Sequence, residues 1–388
     1  MIRNVSKGTE VKTLRPLVRK NQIPEEILSN PELAAAVAVL PSNYNFEIHK
    51  CIWKIKQIFS GRSVVVALQM PEGLLMYACV IADILQRFTG CSPIIMGDVT
   101  YGACCVDDFT AEKLGAEYLI HYGHSCLVPI NVTKLPTLYV FVEISFDVSH
   151  LCRVIRDNFK AEDNIVCMGT IQFTNMASSA VEILRASDFP LIHMAQAKPL
   201  SSGETLGCTS PILPPSTSAL VFVADGRFHL ESVMIQNPNV PAFRYDPYSK
   251  IMTKESYDME LMKSVRLSSV QQAKHAEVFG LILGTLGRQG SPGIFKRLKA
   301  LLRGQGRIVV PFLMAEINPS KLKMIPKVQV WVQVACPRLS IDWSGAYDRP
   351  ILTPYELEVA LGGAEWQETY PMDYYRADGG SWSSIQNR

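Results

Sequence analysis

Cysteine is the residue type in this sequence with the most obvious capacity for chemistry. The chain holds ten, at positions 51, 79, 91, 104, 105, 126, 152, 167, 208 and 336. Those at 51, 79, 152 and 167 lie inside apolar runs, and the one at 91 lies in a turn that enters a strand, so we predict that these five thiols are packed in cores. The other five lie near strand exits or in turns rich in glycine and proline, where a side chain can reach a ligand.

Three of those five thiols occupy related places in the chain. Cys104 and Cys208 each follow the second apolar run of a similar stretch, and Cys336 follows a third run of the last stretch. One thiol from each stretch could converge on a single metal centre. The C-x-x-C pairs of zinc knuckles and the compact spacing of ferredoxins are missing from the sequence. Spacing alone therefore leaves three alternatives: an iron-sulfur cluster with one open iron, a zinc ion with an open water position, or three separate thiols.

Other polar turns follow predicted strands. Residues 121–126 (His-Tyr-Gly-His-Ser-Cys) resemble a set of metal ligands, but alternation along a strand favours a structural histidine turn. Residues 225–229 close another strand and form either a plain turn or a set of polar contacts to a ligand. The glycine-rich turn 284–292 and the turn 69–73 let backbone amides approach an anionic group closely, although plain tight turns would look the same.

The elements that position these turns recur three times along the chain. Each stretch reads as a buried apolar strand, a helix and a second apolar strand, which is the pattern of βαβ units in a parallel sheet. The predicted strands are 63–69, 93–97 and 118–122, then 164–172, 191–195 and 219–225, then 279–287, 308–314 and 328–334. We therefore predict an α/β fold of three similar α/β domains with parallel-type sheets. The predicted boundaries are an N-terminal arm at 1–45 and domains at 46–150, 151–265 and 266–388, the last with a C-terminal extension.

Composition narrows the classes of function. The chain has 388 residues, of which 48% are hydrophobic and 19% charged, and a net charge of +2. This balance excludes a disordered chain and predicts no binding to DNA. The only charge asymmetry is in the first 22 residues, which hold six basic side chains against one acidic one and predict a solvated tail. Without an apolar run long enough for a membrane span or a secretory signal, the sequence predicts a cytoplasmic protein that makes no contact with membranes.

Several long motifs together resemble the diphthamide biosynthesis enzyme family, in particular its eukaryotic catalytic subunit. The likeness runs from about Asn21 to Tyr374, and the matching stretches are 68–74, 97–110, 121–127, 206–211, 225–250, 280–292 and 331–343. The resemblance implies three α/β domains around a central site, each giving one cysteine to a [4Fe-4S] cluster. The metal ligands would be Cys104, Cys208 and Cys336. The Tyr-Gly-Ala-Cys match favours Cys104 over Cys105, which would then point into packing.

The resemblance also implies the reaction. A reduced cluster would break the sulfur to γ-carbon bond of S-adenosylmethionine and release a 3-amino-3-carboxypropyl radical, which adds to a histidine of translation elongation factor 2. We predict that the turns 69–73 and 284–291 hold the cofactor's polar groups, through Gln69, Glu72, Gly73, Gly284, Arg288 and Gln289. No catalytic side chain beyond the cluster is expected.

The partners implied are a related second subunit in a heterodimer, a small iron-binding electron donor with its reductase, and elongation factor 2 as protein substrate. Because all three cysteines are present, the chain resembles the catalytic subunit more than its partner. The alternatives are a non-catalytic scaffold subunit of the same complex and a zinc hydrolase with three thiolate ligands.

Overall fold

A computed structural model of the chain describes residues 22–98 and 100–385. The basic residues of the predicted arm fall within 1–21 and lie outside these described residues. The rest of the arm, from residue 22 to residue 45, packs on the first sheet. Its residues Leu33 and Leu40 belong to the same buried core as the strand residue Val66.

The first sheet is built from short apolar strands that alternate with helices. Its strand order is β3-β2-β4-β5 and every pairing in it is parallel. Parallel neighbours need crossover connections, which helices supply except between β4 and β5, where the irregular segment 123–136 connects the strands. The elements are α1 Glu25–Leu28, α2 Pro31–Val37, β1 Tyr44–Asn45, α3 Ile48–Phe59, β2 Val65–Gln69, α4 Ala78–Thr89, β3 Ser92–Met96, α5 Asp108–Lys113, β4 Tyr118–Tyr122, β5 Thr137–Val140 and β6 Glu143–Ile144, with β1 and β6 forming a separate antiparallel ribbon.

The second sheet has the order β10-β9-β8-β7, with one antiparallel pair at its β10 edge. Its elements are α6 Val148–Asn158, β7 Ile165–Gly169, α7 Thr174–Ser187, β8 Ala219–Val223, α8 Phe228–Gln236, β9 Ala242–Asp246 and β10 Ile251–Glu255. The predicted strand at 191–195 is wrong, because this segment makes a single parallel bridge from His193 to Val166. The next bridge to β7 is made by Glu204, opposite Gly169.

The third sheet is again fully parallel, in the order β12-β11-β13-β14. Its elements are α9 Met259–Lys274, β11 Val278–Gly284, α10 Pro292–Gly304, β12 Ile308–Met314, α11 Pro319–Lys323, β13 Val330–Val334, α12 Pro337–Trp343, β14 Ile351–Leu352 and α13 Pro354–Ala360. Local sequence fixes where these helices begin. Ser291 accepts a hydrogen bond from the amide of Ile294, and Pro292 occupies the first turn, where its missing N–H is harmless.

Both faces of the sheets are covered by apolar cores. Val66 and Ala67 are neighbours in β2 but belong to different cores, and Leu281 and Ile282 divide in the same way in β11. This division follows from the alternation of side chains along a strand. The predicted α/β class is thus confirmed, while the predicted domain boundaries stay predictions. Helix α9 spans the predicted boundary at 265/266.

A buried ion pair ties together the elements around the third sheet. Arg266 of α9 and Glu356 of α13 are both fully buried, and their side chains make two hydrogen bonds of 2.7 Å. The guanidinium also donates to the carbonyl oxygens of Ser340 and Ile351, at 2.8 Å each. Tyr370 donates to the same carboxylate at 2.9 Å. One charged pair therefore connects α9, α12, α13 and β14.

Four of the five cysteines predicted to pack in cores are buried, at positions 51, 91, 152 and 167. The prediction for Cys79 is wrong, since its side chain is exposed. The buried stripe of α4 follows Ala78, Ile81, Ala82 and Leu85, and position 79 lies off that stripe. Within the described part of the chain, no helix is long and apolar enough to cross a membrane.

Candidate metal centre

The first cysteine loop (100–107) follows β3 and contains a 3₁₀ helix, Ala103–Cys105. Gln69, at the end of β2, fixes this loop. Its side-chain amide donates to the carbonyl oxygen of Cys105 at 2.9 Å and its oxygen accepts from the amide of Asp107 at 3.1 Å. That oxygen also lies 2.9 Å from Nδ1 of His121. Because an amide oxygen can only accept, His121 donates through Nδ1.

The glycine-rich turn of the third sheet closes over this loop. The backbone amide of Arg288 donates to the carbonyl oxygen of Cys104 at 3.0 Å. Its guanidinium makes two hydrogen bonds to Asp108, of 2.8 and 2.6 Å, and lies 4.0 Å from the ring centroid of Phe109. Burial alone would raise the pKa of the Asp108 carboxyl, but the bonds from Arg288 and from the Lys134 amide outweigh it, and that pKa is lowered. Arg288 therefore joins the first and third sheets.

A glycine makes this close approach feasible. Gly287 has a φ of 53°, and a Cβ at this position would come within 2.5 Å of the carbonyl oxygen of Cys105. A side chain is excluded there both by the left-handed backbone conformation and by the neighbouring loop. The turn 284–291 is thus shaped to contact the first cysteine loop.

The second cysteine loop (204–211) is held by a segment near the end of the described chain. The amide of Tyr374 donates to the carbonyl oxygen of Cys208 at 3.2 Å. The amide of Tyr375 donates to the hydroxyl of Thr209 at 2.9 Å. Cys208 is 9% exposed and packs in the same core as both tyrosines. The loop therefore owes its shape to residues far away in sequence.

The third cysteine loop (334–338) lies between β13 and α12. Cys336 precedes the first residue of α12, and its carbonyl oxygen accepts from the side-chain amide of Gln333 at 2.9 Å. Pro337 begins the helix without leaving an amide unpaired. This arrangement places Cys336 directly after the carboxyl end of a central parallel strand, where ligand crevices form in such sheets.

Arg338 connects the third cysteine loop to the second. Its side chain is nearly buried, and it donates to the carbonyl oxygens of Gly207 at 3.3 Å and Phe228 at 2.7 Å. The same guanidinium pairs with Glu231 at 2.5 Å and with Asp342 at 2.8 Å. One arginine thus fixes the position of the second loop relative to the third, as Arg288 does for the first.

The structure brings the three predicted ligand thiols together. Cys104 interacts electrostatically with Cys336 and Cys208, and Cys208 interacts with Cys336. Burial raises the pKa of the Cys336 thiol to about 11 and that of Cys208 further. The pKa of Cys104 is raised by the adjacent Cys105 thiol and by burial. Three such thiols can ionise together only when a bound cation compensates their charge.

The chemistry of these thiols matches that of an iron-sulfur cluster, whose irons are held by cysteine thiolates. Among residues 22–98 and 100–385, no group of three histidine, cysteine or acidic side chains is arranged to hold a metal ion. The assignment of Cys104, Cys208 and Cys336 as cluster ligands stays a prediction.

Two buried tyrosines complete the site, and sequence reasoning missed them. Tyr374 and Tyr375 each interact electrostatically with all three of the predicted ligand cysteines. The hydroxyl of Tyr374 is buried without a hydrogen-bond partner, an arrangement that costs about 1–3 kcal/mol unless something else bonds to it. The feature of the sequence that could have pointed to them is the pair of adjacent tyrosines at the C-terminal end of the stretch that resembles the family.

The residues predicted to bind a cofactor lie at the carboxyl ends of β2 and β11. Glu72 and Gly73 are exposed at the start of a 3₁₀ helix, Glu72–Tyr77. Gly284 ends β11 and Gln289 is 8% exposed. The side chains of Gln69 and Arg288 are bonded to protein groups, as described above. Their contact with a cofactor stays a prediction.

The histidine turn at 121–126 is structural, at least through His121. The rings of His121 and His124 have centroids 5.5 Å apart, and His124 also interacts electrostatically with His229. Burial lowers the pKa of His121 to about 3 and that of His229 to about 4. These rings are therefore neutral at physiological pH. Cys126, from the same turn, is exposed.

Comparisons with known proteins agree with this geometry. The sequence profile described as putative diphthamide synthesis protein matches residues 70–371. The relative from Gallus gallus is 54% identical over 94% of this chain and 88% of its own length, and the one from Homo sapiens is 55% identical over 94% and 82%. Both are called 2-(3-amino-3-carboxypropyl)histidine synthase subunit 1.

Solved structures agree as well. The crystal structure of Dph2 from Pyrococcus horikoshii with a 4Fe-4S cluster is 27% identical, with a TM-score of 0.70, over 85% of this chain and 94% of that one. A second crystal structure of the same protein is 28% identical with a TM-score of 0.68, over 81% and 91%. The chain therefore belongs to the diphthamide synthesis family, in its group of 2-(3-amino-3-carboxypropyl)histidine synthase subunit 1 enzymes.

Proposed function

We propose that this chain is the catalytic subunit that transfers a 3-amino-3-carboxypropyl group from S-adenosylmethionine to a histidine of translation elongation factor 2. This would be the first step of diphthamide biosynthesis, by a non-standard radical mechanism. The observation that carries the proposal is the convergence of Cys104, Cys208 and Cys336 from the ends of different sheets. A relative described with a 4Fe-4S cluster supports the same use of these thiols.

The residues of the chain have three tasks in this proposal. The three thiolates hold the cluster through three irons and leave the fourth iron open for the cofactor. When bound, the cluster would supply the electron that breaks the sulfur to γ-carbon bond of S-adenosylmethionine. The turns 69–73 and 284–291, which flank the first cysteine loop, would orient the cofactor. Burial of Cys208 and of both tyrosines keeps water away from the reacting groups.

The proposal also includes the partners that the family resemblance implies. The name of the relatives, subunit 1, supports assembly with a related second subunit. A small iron-binding electron donor with its reductase would reduce the cluster, and elongation factor 2 would dock as substrate. All of these steps would take place in the cytoplasm.

The experiment that tests the function uses the chain coexpressed with its second subunit and prepared without oxygen. After reduction and addition of S-adenosylmethionine and elongation factor 2, we expect methylthioadenosine and modified histidine in about equal amounts, because one bond cleavage yields one transfer. Chromatography and mass spectrometry measure the two products. A complex that holds its cluster but cleaves no S-adenosylmethionine would instead be a scaffold, and bound zinc without sulfide would favour the hydrolase.

A second prediction tests whether Arg288 holds the first cysteine loop in place or acts only as a contact to the cofactor. Replacing it with alanine is expected to lower bound iron and sulfide, because its guanidinium joins the first cysteine loop to the third sheet through the buried Asp108. Asp108→Asn should cause a similar loss, whereas the exposed Arg303→Ala should cause none. Iron and sulfide analysis and equilibrium binding of S-adenosylmethionine are the measurements. Full iron content with weakened cofactor binding would show instead that Arg288 acts only as a cofactor contact.

A further inference from the structure

The hydroxyl of Tyr374 is a buried polar group of this site that has no partner among the described residues. The side chain is 4% exposed, and its oxygen has no hydrogen-bond partner. The backbone around it is firmly held, since its amide donates to the carbonyl oxygen of Cys208 and its own carbonyl accepts from the amide of Ser384 at 2.7 Å. A buried polar group without a partner in a rigid site calls for a bound group to satisfy it.

The surroundings of this hydroxyl identify the kind of group. Tyr374 interacts electrostatically with Cys208, Cys104 and Cys336. It also lines a small cavity whose walls include Cys208 and Pro337 but neither of the other two cysteines. A tyrosine hydroxyl is protonated at neutral pH, so it offers one O–H donor. The acceptors that the three thiols would bring to this place are the sulfurs of a cluster and of its thiolates.

We propose that the hydroxyl of Tyr374 donates a hydrogen bond to a sulfur of the [4Fe-4S] cluster held by the three cysteines, and that this bond raises the reduction potential of the cluster. The inference rests on the cluster of the proposed function. The reduced cluster carries one more negative charge than the oxidised one, so a hydrogen-bond donor stabilises the reduced form more. Tyr374 therefore makes electron uptake easier.

The neighbouring tyrosine provides a matched control. Tyr375 is equally buried, its ring centroid lies 4.9 Å from that of Tyr374, and it interacts with the same three cysteines. Its hydroxyl, however, has a partner in the carbonyl oxygen of Gln289, at 3.4 Å. Removing this second hydroxyl changes the polarity near the cluster by a similar amount but removes no bond to sulfur.

The test compares the wild type with Tyr374→Phe and Tyr375→Phe, each prepared without oxygen and reconstituted with iron and sulfide. Metal analysis and a potentiometric titration followed by electron paramagnetic resonance give the iron content and the midpoint potential. We expect full iron in both variants, a more negative midpoint in Tyr374→Phe, and a wild-type midpoint in Tyr375→Phe. An unchanged midpoint in Tyr374→Phe, or equal shifts in both variants, would overturn the inference.

A measurement on the wild type tests the same hydrogen bond even if Tyr374→Phe does not fold. After exchange into D₂O, electron-nuclear double resonance of the reduced protein should show an exchangeable deuteron coupled to the cluster, and its absence would count against the bond. The outcomes also separate this inference from the proposed function. A wild type without any cluster overturns both, whereas a clustered, active wild type with an unchanged Tyr374→Phe overturns only the inference.

Discussion

Replacing Cys208 with alanine is expected to reduce bound iron and sulfide from about four of each per chain to nearly none, while the fold is retained. Two remaining thiolates would leave two irons without protein ligands, and the second cysteine loop is otherwise fixed by backbone bonds that do not involve the thiol. Iron and sulfide analysis with electron paramagnetic resonance on protein prepared without oxygen measures the loss. Circular dichroism checks the fold.

The matched control for this prediction is Cys167→Ala. Cys167 is also fully buried, but it lies within β7 and has no place in the metal centre, so this variant should keep its cluster. Cys104→Ala is a less clean test, because Sγ of Cys105 lies 4.0 Å from that of Cys104 and offers a substitute ligand. A Cys208→Ala protein that still held the full cluster would refute the ligand assignment.

The largest effect on stability is expected for Arg266→Met. The substitution leaves Glu356 fully buried without its cation and removes the donors to Ser340 and Ile351, so the free energy of unfolding should fall by about 3–5 kcal/mol. Urea unfolding followed by fluorescence and circular dichroism measures the change. Because Ser340 belongs to the helix that follows Cys336, retention of iron should fall as well.

Two further variants make this prediction specific. In Arg266→Met combined with Glu356→Leu the buried charge is removed together with its partner, so most of the lost stability should return. Arg62→Met breaks the exposed pair with Glu117 and should leave the unfolding midpoint unchanged. If the single and double substitutions at Arg266 and Glu356 proved equally destabilising, the loss would come from packing and not from the unpaired carboxylate.

Local sequence patterns predicted the strands that carry the site. The apolar run at 63–69 contains β2, and the run at 279–287 covers all but the first residue of β11. These are central strands of two sheets, and both end at the turns that flank Cys104. Alternation along a strand and the chemistry of strand-exit turns are properties of a few neighbouring residues, so they can be read without the fold. The cysteines that follow the runs at 93–97, 191–195 and 328–334 made a shared metal centre one of three alternatives, and the family resemblance favoured it.

The contacts of the site that were missed depend on residues distant in sequence. The segment at 191–195 is apolar enough for a strand, but it makes only one bridge to β7, at His193. Tyr374 reaches the site because its amide meets Cys208, and the role of Arg338 depends on Gly207, 131 residues earlier. No periodicity in the sequence encodes such pairs. Gln69 shows the same effect, since the partners of its amide belong to the first cysteine loop and to β4.

The hydrogen bonds from the amides of residues 374 and 375 to the second cysteine loop also set an order of events during protein synthesis. The hydroxyl of Thr209 can accept its bond only after Tyr375 is translated, 166 residues later. At about 5–20 residues per second, this delay is on the order of ten to thirty seconds, during which the loop around Cys208 lacks these two bonds. In the proposed function, iron delivered before Cys336 is translated would meet only two of the three predicted ligand thiols. Loading of a cluster would therefore follow translation of the third cysteine loop.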